Sequence, residues 1–222
     1  MKIFLGILFL IFITWGGWYV YKNFLFPEPS KPVDEDVPKK LINAQERIIR
    51  LESNSEISKD INDIKKLPND SFEVIFFSAD NEGARHFLTP MEFFLAGEMH
   101  PPQVLLSSVI NYNFGLVGGE TKNYPFLILD IESAEEARAG ITEWEKNMPK
   151  ELSGIFADLE NMKTEGKDSF HDQVIKNQTA RIFESSGNKI VYTFYNQRLL
   201  IIAPSVEAFS AIISRYAVFP PN

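Results

Sequence analysis

The chain begins with a continuous apolar run from Ile3 to Tyr21 that contains no charged residue. About 20 apolar residues in a helix, each rising ~1.5 Å, cross the ~30 Å hydrocarbon layer of a bilayer. We therefore expect residues 1–26 to form a transmembrane signal-anchor. A cleaved signal peptide is the alternative, but no site with small residues follows the run. The residues predicted to lie at the membrane interface are Trp15, Trp18, Tyr19, Tyr21 and Lys22.

The orientation of this segment has to be judged from its flanks. Lys2 precedes the run, and Lys22 and Lys31 follow it, so the distribution of basic residues gives almost no direction. The short segment before Ile3 favours a cytoplasmic N-terminus and a translocated C-terminal part. The predicted localisation is thus a single-pass membrane protein with an extracytoplasmic C-terminal domain, and residues 3–26 are predicted to contact the lipid bilayer.

Residues 27–70 are predicted to connect this segment to a folded domain. Prolines recur from 27 to 38, which predicts an extended, semi-rigid linker. Apolar residues then follow at helical spacing, namely Leu41, Ala44, Ile48, Leu51, Ile57, Ile61 and Ile64. This pattern predicts a short amphipathic helical stalk through which copies of the chain would associate. A helix lying on the domain or on the bilayer is the alternative.

From Ser71 to the end, the pattern changes to short apolar runs separated by turn residues. Strands are predicted at 72–77, 112–117, 126–131, 179–184, 189–195 and 199–203. Helices are predicted to begin at Thr89, Ser133 and Ser205, because each can cap a following apolar stripe. The fold class expected for residues 71–222 is therefore α+β, with an antiparallel sheet covered by helices on one face.

The helix after Ser133 carries an aromatic residue with two possible roles. Its apolar stripe includes Ile141 and Trp144, which predicts that Trp144 is buried in the core. The flanking Glu143 and Glu145 are expected at the surface, and a sugar- or choline-binding tryptophan between two acids is the alternative. Gly140, beside the stripe, would allow close approach to the sheet.

The composition narrows the possible chemistry. The absence of cysteine excludes disulfides, thiolate metal sites and a cysteine nucleophile. A net charge of −8 and a pI near 5.0 argue against nucleic-acid binding. The sequence contains no H-E-x-x-H, G-x-S-x-G or P-loop pattern. We therefore predict no catalytic residue, no metal ligand and no cofactor.

Two small sets of residues remain as low-specificity binding candidates. Asp130 and Glu132 end a predicted strand close to further acids, where a Ca²⁺ or acid–base site could be built. Helix capping with solvated acids is the alternative. Tyr192 and Phe194 point to the same face of a predicted strand. If helices cover only the other face, these aromatic side chains would form a surface for a protein partner.

Three segments between Pro125 and Tyr216 resemble an uncharacterised family of membrane-anchored proteins from candidate-phyla (ultra-small) bacteria. The segments are PFLILDIESAEEARAGITEWEKNMPKEL, QVIKNQTARIF and LLIIAPSVEAFSAIISR. Members of this family combine one N-terminal span, a variable linker and this domain. The resemblance implies location and fold, and it implies no activity.

Three classes of function remain open. The first is a non-catalytic, membrane-tethered interaction or assembly module of the cell envelope. The second is an envelope hydrolase with a carboxylate site that no motif marks, and the third is a small-ligand-binding module. Two or more convergent buried acids would favour the enzyme, and a closed apolar cavity would favour the ligand-binding module.

Overall fold

The computed structural model describes residues 37–51, 57–81, 84–156, 159 and 169–219. The predicted membrane segment 1–26, its interface residues Trp15, Trp18, Tyr19, Tyr21 and Lys22, and the linker up to residue 36 lie outside the described residues. Among the helices in the described ranges, none is both long and apolar enough to cross a bilayer.

The described residues form an α+β fold around one mixed sheet of nine strands. The strands are β1 (Gln45–Arg50), β2 (Phe72–Asn81), β3 (Ala84–Phe87), β4 (Val109–Gly118), β5 (Asn123–Ile131), β6 (His171–Ile175), β7 (Gln178–Ser185), β8 (Asn188–Tyr195) and β9 (Leu199–Ala203). Their order is β1-β2-β4-β5-β9-β8-β7-β6, and β3 pairs with the end of β2. Only the pairing of β1 with β2 is parallel among these strands. The edges of the described sheet are thus β1 and β6.

Helices connect the strands within the described ranges. They are α1 (Ile57–Asn62), α2 (Pro90–Ala96), α3 (Gln103–Ser108), α4 (Ala134–Trp144), α5 (Met148–Glu151) with a following 3₁₀ turn (Leu152–Gly154), and α6 (Val206–Val218). The predicted starts at Thr89, Ser133 and Ser205 are confirmed, because each side chain accepts a backbone N–H from the first turn of its helix.

The prediction of a helical stalk is wrong for residues 41–51. Gln45–Arg50 is an edge strand, which pairs in parallel with β2. Just before it, Leu41 and Ile42 are buried, and α6 holds this segment because Tyr216 Oη donates to the Leu41 carbonyl at 2.8 Å. Apolar residues at a 3-4-3 spacing over so short a stretch do not distinguish helix from strand, so pairing with β2 decides the conformation. The folded domain therefore begins near residue 37 rather than at 71.

The expectation that helices cover only one face of the sheet is also wrong. One core cluster packs strand residues such as Phe77, Phe114 and Leu200 against α1–α5. A second cluster packs the alternate residues, such as Phe126 and Ile201, against α6 and residues 41–44. Strand runs that are apolar at every position, such as Leu199–Ala203, need cover on both faces. No bare aromatic face is therefore present in the described sheet.

The core prediction for Trp144 is confirmed. Its side chain is 1% exposed, and its ring meets Phe94 edge-to-face at a centroid distance of 6.0 Å. The indole Nε1 donates to Glu151 Oε2 at 2.6 Å, so the polar atom of this buried ring is satisfied. Gly140 does permit a close approach, but to the Leu105 backbone of α3 rather than to the sheet.

Candidate binding groove

An open groove of about 630 Å³ lies between α4 and strands β6, β7 and β8, at the β6 edge of the sheet. Helix α4 covers this face of the sheet only in part, so side chains on β6, β7 and β8 remain accessible beside it. We call this feature the α4 groove. Its lining residues are Arg138, Ile141, Thr142, Asp172, Asn177, Gln178, Thr179, Arg181, Tyr192, Thr193, Phe194, Asn196 and Gln197.

The strand register builds the floor of the α4 groove. Asp172 lies opposite Arg181, and Arg181 lies opposite Tyr192. Residues directly opposite on neighbouring strands share a face of the sheet. These three side chains therefore form a row across three adjacent strands, on the face that α4 partly covers.

Glu145, the residue after α4, ties the helix to this row. Its carboxylate accepts from Arg181 Nε at 2.7 Å and from Arg181 Nη2 at 2.9 Å, which is a bidentate ion pair. It also accepts from Tyr192 Oη at 2.6 Å. The Glu145 side chain is only 14% exposed, so these charge-assisted hydrogen bonds form largely away from water. The sequence-based expectation of a surface Glu145 is wrong.

The protonation states in this network follow from its contacts. The hydrogen bond to Glu145 raises the pKa of the Arg181 guanidinium above its usual value. Burial, with the hydrogen bond to Glu145, raises the pKa of the Tyr192 hydroxyl. Both shifts keep the proton on the donor. At neutral pH, Arg181 and Tyr192 are therefore fixed donors to the Glu145 carboxylate.

Arg138 is in a different electrostatic situation from Arg181. Its guanidinium lies over the Phe194 ring at 4.4 Å from the centroid, a cation–π contact between α4 and β8. Within the described ranges, no carboxylate lies at ion-pair distance from Arg138. The α4 groove thus contains one arginine whose charge is neutralised by acids and one whose charge is not.

Two turns at the end of the groove hold an unusual backbone conformation. Lys176 and Asn177 have φ of 50° and 61°, and Asn196 and Gln197 have φ of 51° and 55°. Positive φ closes both the two-residue turn 176–177 and the three-residue loop 196–198. Asparagine tolerates this conformation, and lysine or glutamine adopt it at a cost of about 1–2 kcal/mol. The exposed side chains of Asn177, Asn196 and Gln197 line this end of the groove.

The candidate binding residues predicted from the sequence do not all lie at one site. Tyr192 and Phe194 do lie together in the α4 groove, although on a helix-covered face. Asp130 and Glu132 do not form a joint site. Asp130 is held by Arg198, whose Nε and Nη2 donate at 2.9 and 3.2 Å, whereas Glu132 is exposed.

Three contributors to the groove, Arg138, Arg181 and Glu145, were not predicted from the sequence. The available signal was Arg181, a charged residue between the apolar Ala180 and Ile182 in the predicted strand 179–184.

A wider cavity of about 880 Å³ lies beside α2 and α5 and includes His100 and Glu151. The Glu151 carboxylate accepts from the His100 backbone N–H at 2.8 Å and from Trp144, so it serves to join these elements. Within the described ranges, no three His, Cys, Asp or Glu residues come together closely enough to bind a metal ion.

No protein-family model, curated protein or solved structure matches this chain. The α4 groove, with its aromatic, arginine and amide side chains, is therefore the feature on which a function can be built.

Proposed function

We propose that this chain is a membrane-tethered binding module of the cell envelope, which presents its folded domain outside the cytoplasm and binds an envelope partner in the α4 groove. The apolar run from Ile3 to Tyr21 would supply the tether. The observation that carries the proposal is the α4 groove itself, where Arg138 is exposed, Phe194 is half-buried and the buried Tyr192 lies in the floor.

The side chains of the groove suit binding of a partner. Tyrosine, phenylalanine and arginine are enriched in protein interfaces, and tyrosine and arginine dominate binding energy there. Arg138 and Phe194 are held against each other, and Tyr192 is fixed by Glu145, so little side-chain freedom would be lost on binding. Because no carboxylate among the described residues forms an ion pair with Arg138, an acidic group on the partner would neutralise its charge.

The placement of the acids favours binding over acid–base catalysis. Three largely buried carboxylates in the described residues each form an ion pair with a different arginine. The pairs are Glu73 with Arg47, Asp130 with Arg198, and Glu145 with Arg181. A general acid or base must be free to reach a substrate, whereas each of these three carboxylates already accepts hydrogen bonds from an arginine of the same chain. These acids thus hold elements of the domain together.

A photo-crosslinking experiment in the full chain tests the proposal. A benzophenone amino acid would replace Asn196, exposed at the groove, or Ile48, which is 44% exposed on the distant strand β1. In membranes of the native cells, we expect a discrete adduct from position 196 and none from position 48. The Arg138→Gln variant should reduce this adduct, whereas Arg85→Gln, on β3, should not. Equal adducts from both positions, or no effect of Arg138→Gln, would contradict the proposal.

A further inference from the structure

The two edges of the described sheet differ in how well they are protected against pairing with another strand. Strand β1 carries Arg47 and Arg50, which form ion pairs with Glu73 and Asp80 of β2. Charged side chains of this kind discourage edge-to-edge association. Strand β6 (His171–Ile175) has one acid, Asp172, which forms an ion pair with Arg181 at 3.3 Å. It contains no lysine, proline or bulge. The β6 edge is therefore the less protected one.

Strand β6 is also largely exposed and carries an apolar side chain. Four of its five residues are exposed, and Val174, at 68% exposure, is the most exposed of the large hydrophobic side chains in the described residues. Among the described strands, only β7 pairs with β6. A strand in this position offers backbone groups on one side and an apolar side chain to a further strand.

The register of the β6–β7 hairpin determines which backbone groups point outward. The turn residues are Lys176 and Asn177, so Ile175 and Gln178 flank a two-residue turn. Flanking residues in such a hairpin exchange both hydrogen bonds, and bonded and non-bonded pairs then alternate. Ile175, Gln173 and His171 thus bond inward to β7. The N–H and C=O groups of Asp172 and Val174 point to the open edge.

We infer that β6 pairs with β6 of a second copy of this chain, antiparallel and centred on Gln173. In this register, Asp172 of one copy faces Val174 of the other, and each such pair exchanges two backbone hydrogen bonds. Gln173 faces Gln173 as a non-bonded pair, and His171 faces Ile175. No charged residue lies directly opposite its own copy, so this two-fold register avoids direct like-charge pairs.

This register has a consequence for the arrangement of the grooves. A two-fold axis between antiparallel strands runs perpendicular to the sheet, so both copies keep α4 on the same side. Asp172 belongs both to the groove and to the paired edge. The dimer would therefore present two α4 grooves side by side on one surface. A five-residue strand buries little area alone, so tethering of both copies in one membrane, as the proposed function has it, would supply the effective concentration.

The natural absence of cysteine allows a register-specific test. In a non-bonded antiparallel pair the two Cα atoms lie about 4.5 Å apart, within the range that a disulfide bridges. In the full chain in membranes under mild oxidation, Gln173→Cys should give a disulfide-linked dimer. Val174→Cys should give much less, since residues 174 of the two copies lie diagonally, roughly 8 Å apart. Ile48→Cys, on the exposed part of β1, measures random collision.

Two further substitutions at Val174, combined with Gln173→Cys, test the pairing by charge. Val174→Asp places an acid opposite Asp172 of the other copy in both symmetry-related pairs, and should lower dimer formation roughly 2- to 30-fold. Val174→Lys places a base there, and should preserve or raise it. Both variants alter one exposed side chain, so both are expected to fold.

Crosslinking of Gln173→Cys no greater than that of Ile48→Cys would overturn the inference, as would equal effects of Val174→Asp and Val174→Lys. If an extended segment of another protein pairs with β6 instead, no dimer linked through position 173 would form, and this result would also overturn the inference. Because none of these readouts involves a ligand in the groove, failure here is distinct from failure of the proposed binding function, which the crosslink at position 196 tests.

Discussion

At the residue scale, Glu145 is the side chain that joins α4 to the floor of the groove. It binds Arg181 through two oxygens and accepts the Tyr192 hydroxyl. Glu143, two residues earlier and within α4, is exposed. The two glutamates on either side of Trp144 therefore have different energetic roles, because only Glu145 is turned toward the strands.

We predict that Glu145→Gln lowers the free energy of unfolding by about 1–3 kcal/mol, since hydrogen bonds to charged partners are lost in a largely buried site. Glu143→Gln should change it by no more than about 0.5 kcal/mol, as for an ordinary surface position. Urea unfolding of both variants, each compared with the parent chain, measures the difference. Equal midpoints would mean that the Glu145–Arg181 pair adds nothing to stability.

Three buried tyrosines give the domain a defined response to alkaline pH. Burial raises the pKa of Tyr112, Tyr192 and Tyr216 above the usual value of 10.0. A raised folded-state pKa contributes stability that is complete below the unfolded value and is lost as pH rises above it. Above about pH 10, each tyrosine should therefore lower the unfolding free energy by ~1.4 kcal/mol per pH unit.

The measurement for this prediction is the unfolding free energy as a function of pH, before and after Tyr216→Phe. The variant should lose the hydrogen bond to Leu41, which lowers stability at all pH values, and should also have a shallower alkaline slope. An unchanged slope would show that Tyr216 ionises in the folded state with its ordinary pKa.

At the element scale, α3 and α4 pack closely because α4 has a glycine at the point of contact. A Cβ at position 140 would lie 2.6 Å from the Leu105 backbone nitrogen and 2.9 Å from its Cα. Both atoms belong to the backbone, so neither can move aside as a flexible side chain would.

Gly140→Ala should therefore destabilise the domain by about 1–3 kcal/mol, as overpacking does. In an open helix the same substitution would stabilise by about 0.5–1 kcal/mol, because glycine has the poorer helix propensity. The sign of the change in thermal midpoint thus decides whether α3 and α4 are in this contact. A rise in the midpoint would contradict it.

The elements that the sequence predicts well are those with local determinants. Thr89, Ser133 and Ser205 start helices through contacts within one turn, and the β7–β8 hairpin forms across a short turn. Strand β1 was not predicted, because its conformation depends on pairing with β2 from a distant part of the chain.

The groove was predicted only in part for the same reason. Tyr192 and Phe194 are recognisable from strand alternation, whereas Glu145 and Arg181 are 36 residues apart in sequence. They meet only because the end of α4 packs over β7. The spacing of residues along one strand or helix cannot indicate such a contact.

At the scale of the whole molecule, the domain from residue 37 to 219 contains both of its cores. One core lies under α1–α5, and the other lies under α6 and the segment 41–44. Leu41 and Ile42 belong to the second core, so a chain that lacks them would leave the α6 face of the sheet partly uncovered. The proposal places this domain outside the cytoplasm, joined to a membrane segment by the proline-containing residues 27–38.

Limited proteolysis of spheroplasts that carry the full chain tests this account most directly. An externally added protease should cut within residues 27–36 and release a soluble fragment that begins at or before Val37 and unfolds cooperatively. Mass spectrometry of the released fragment gives its first residue, and its thermal unfolding reports whether the domain is intact. Complete protection until the cells are lysed would place the domain on the cytoplasmic side. A released, folded fragment that begins after Ile42 would show that this segment is not part of the domain, and either result would contradict the account.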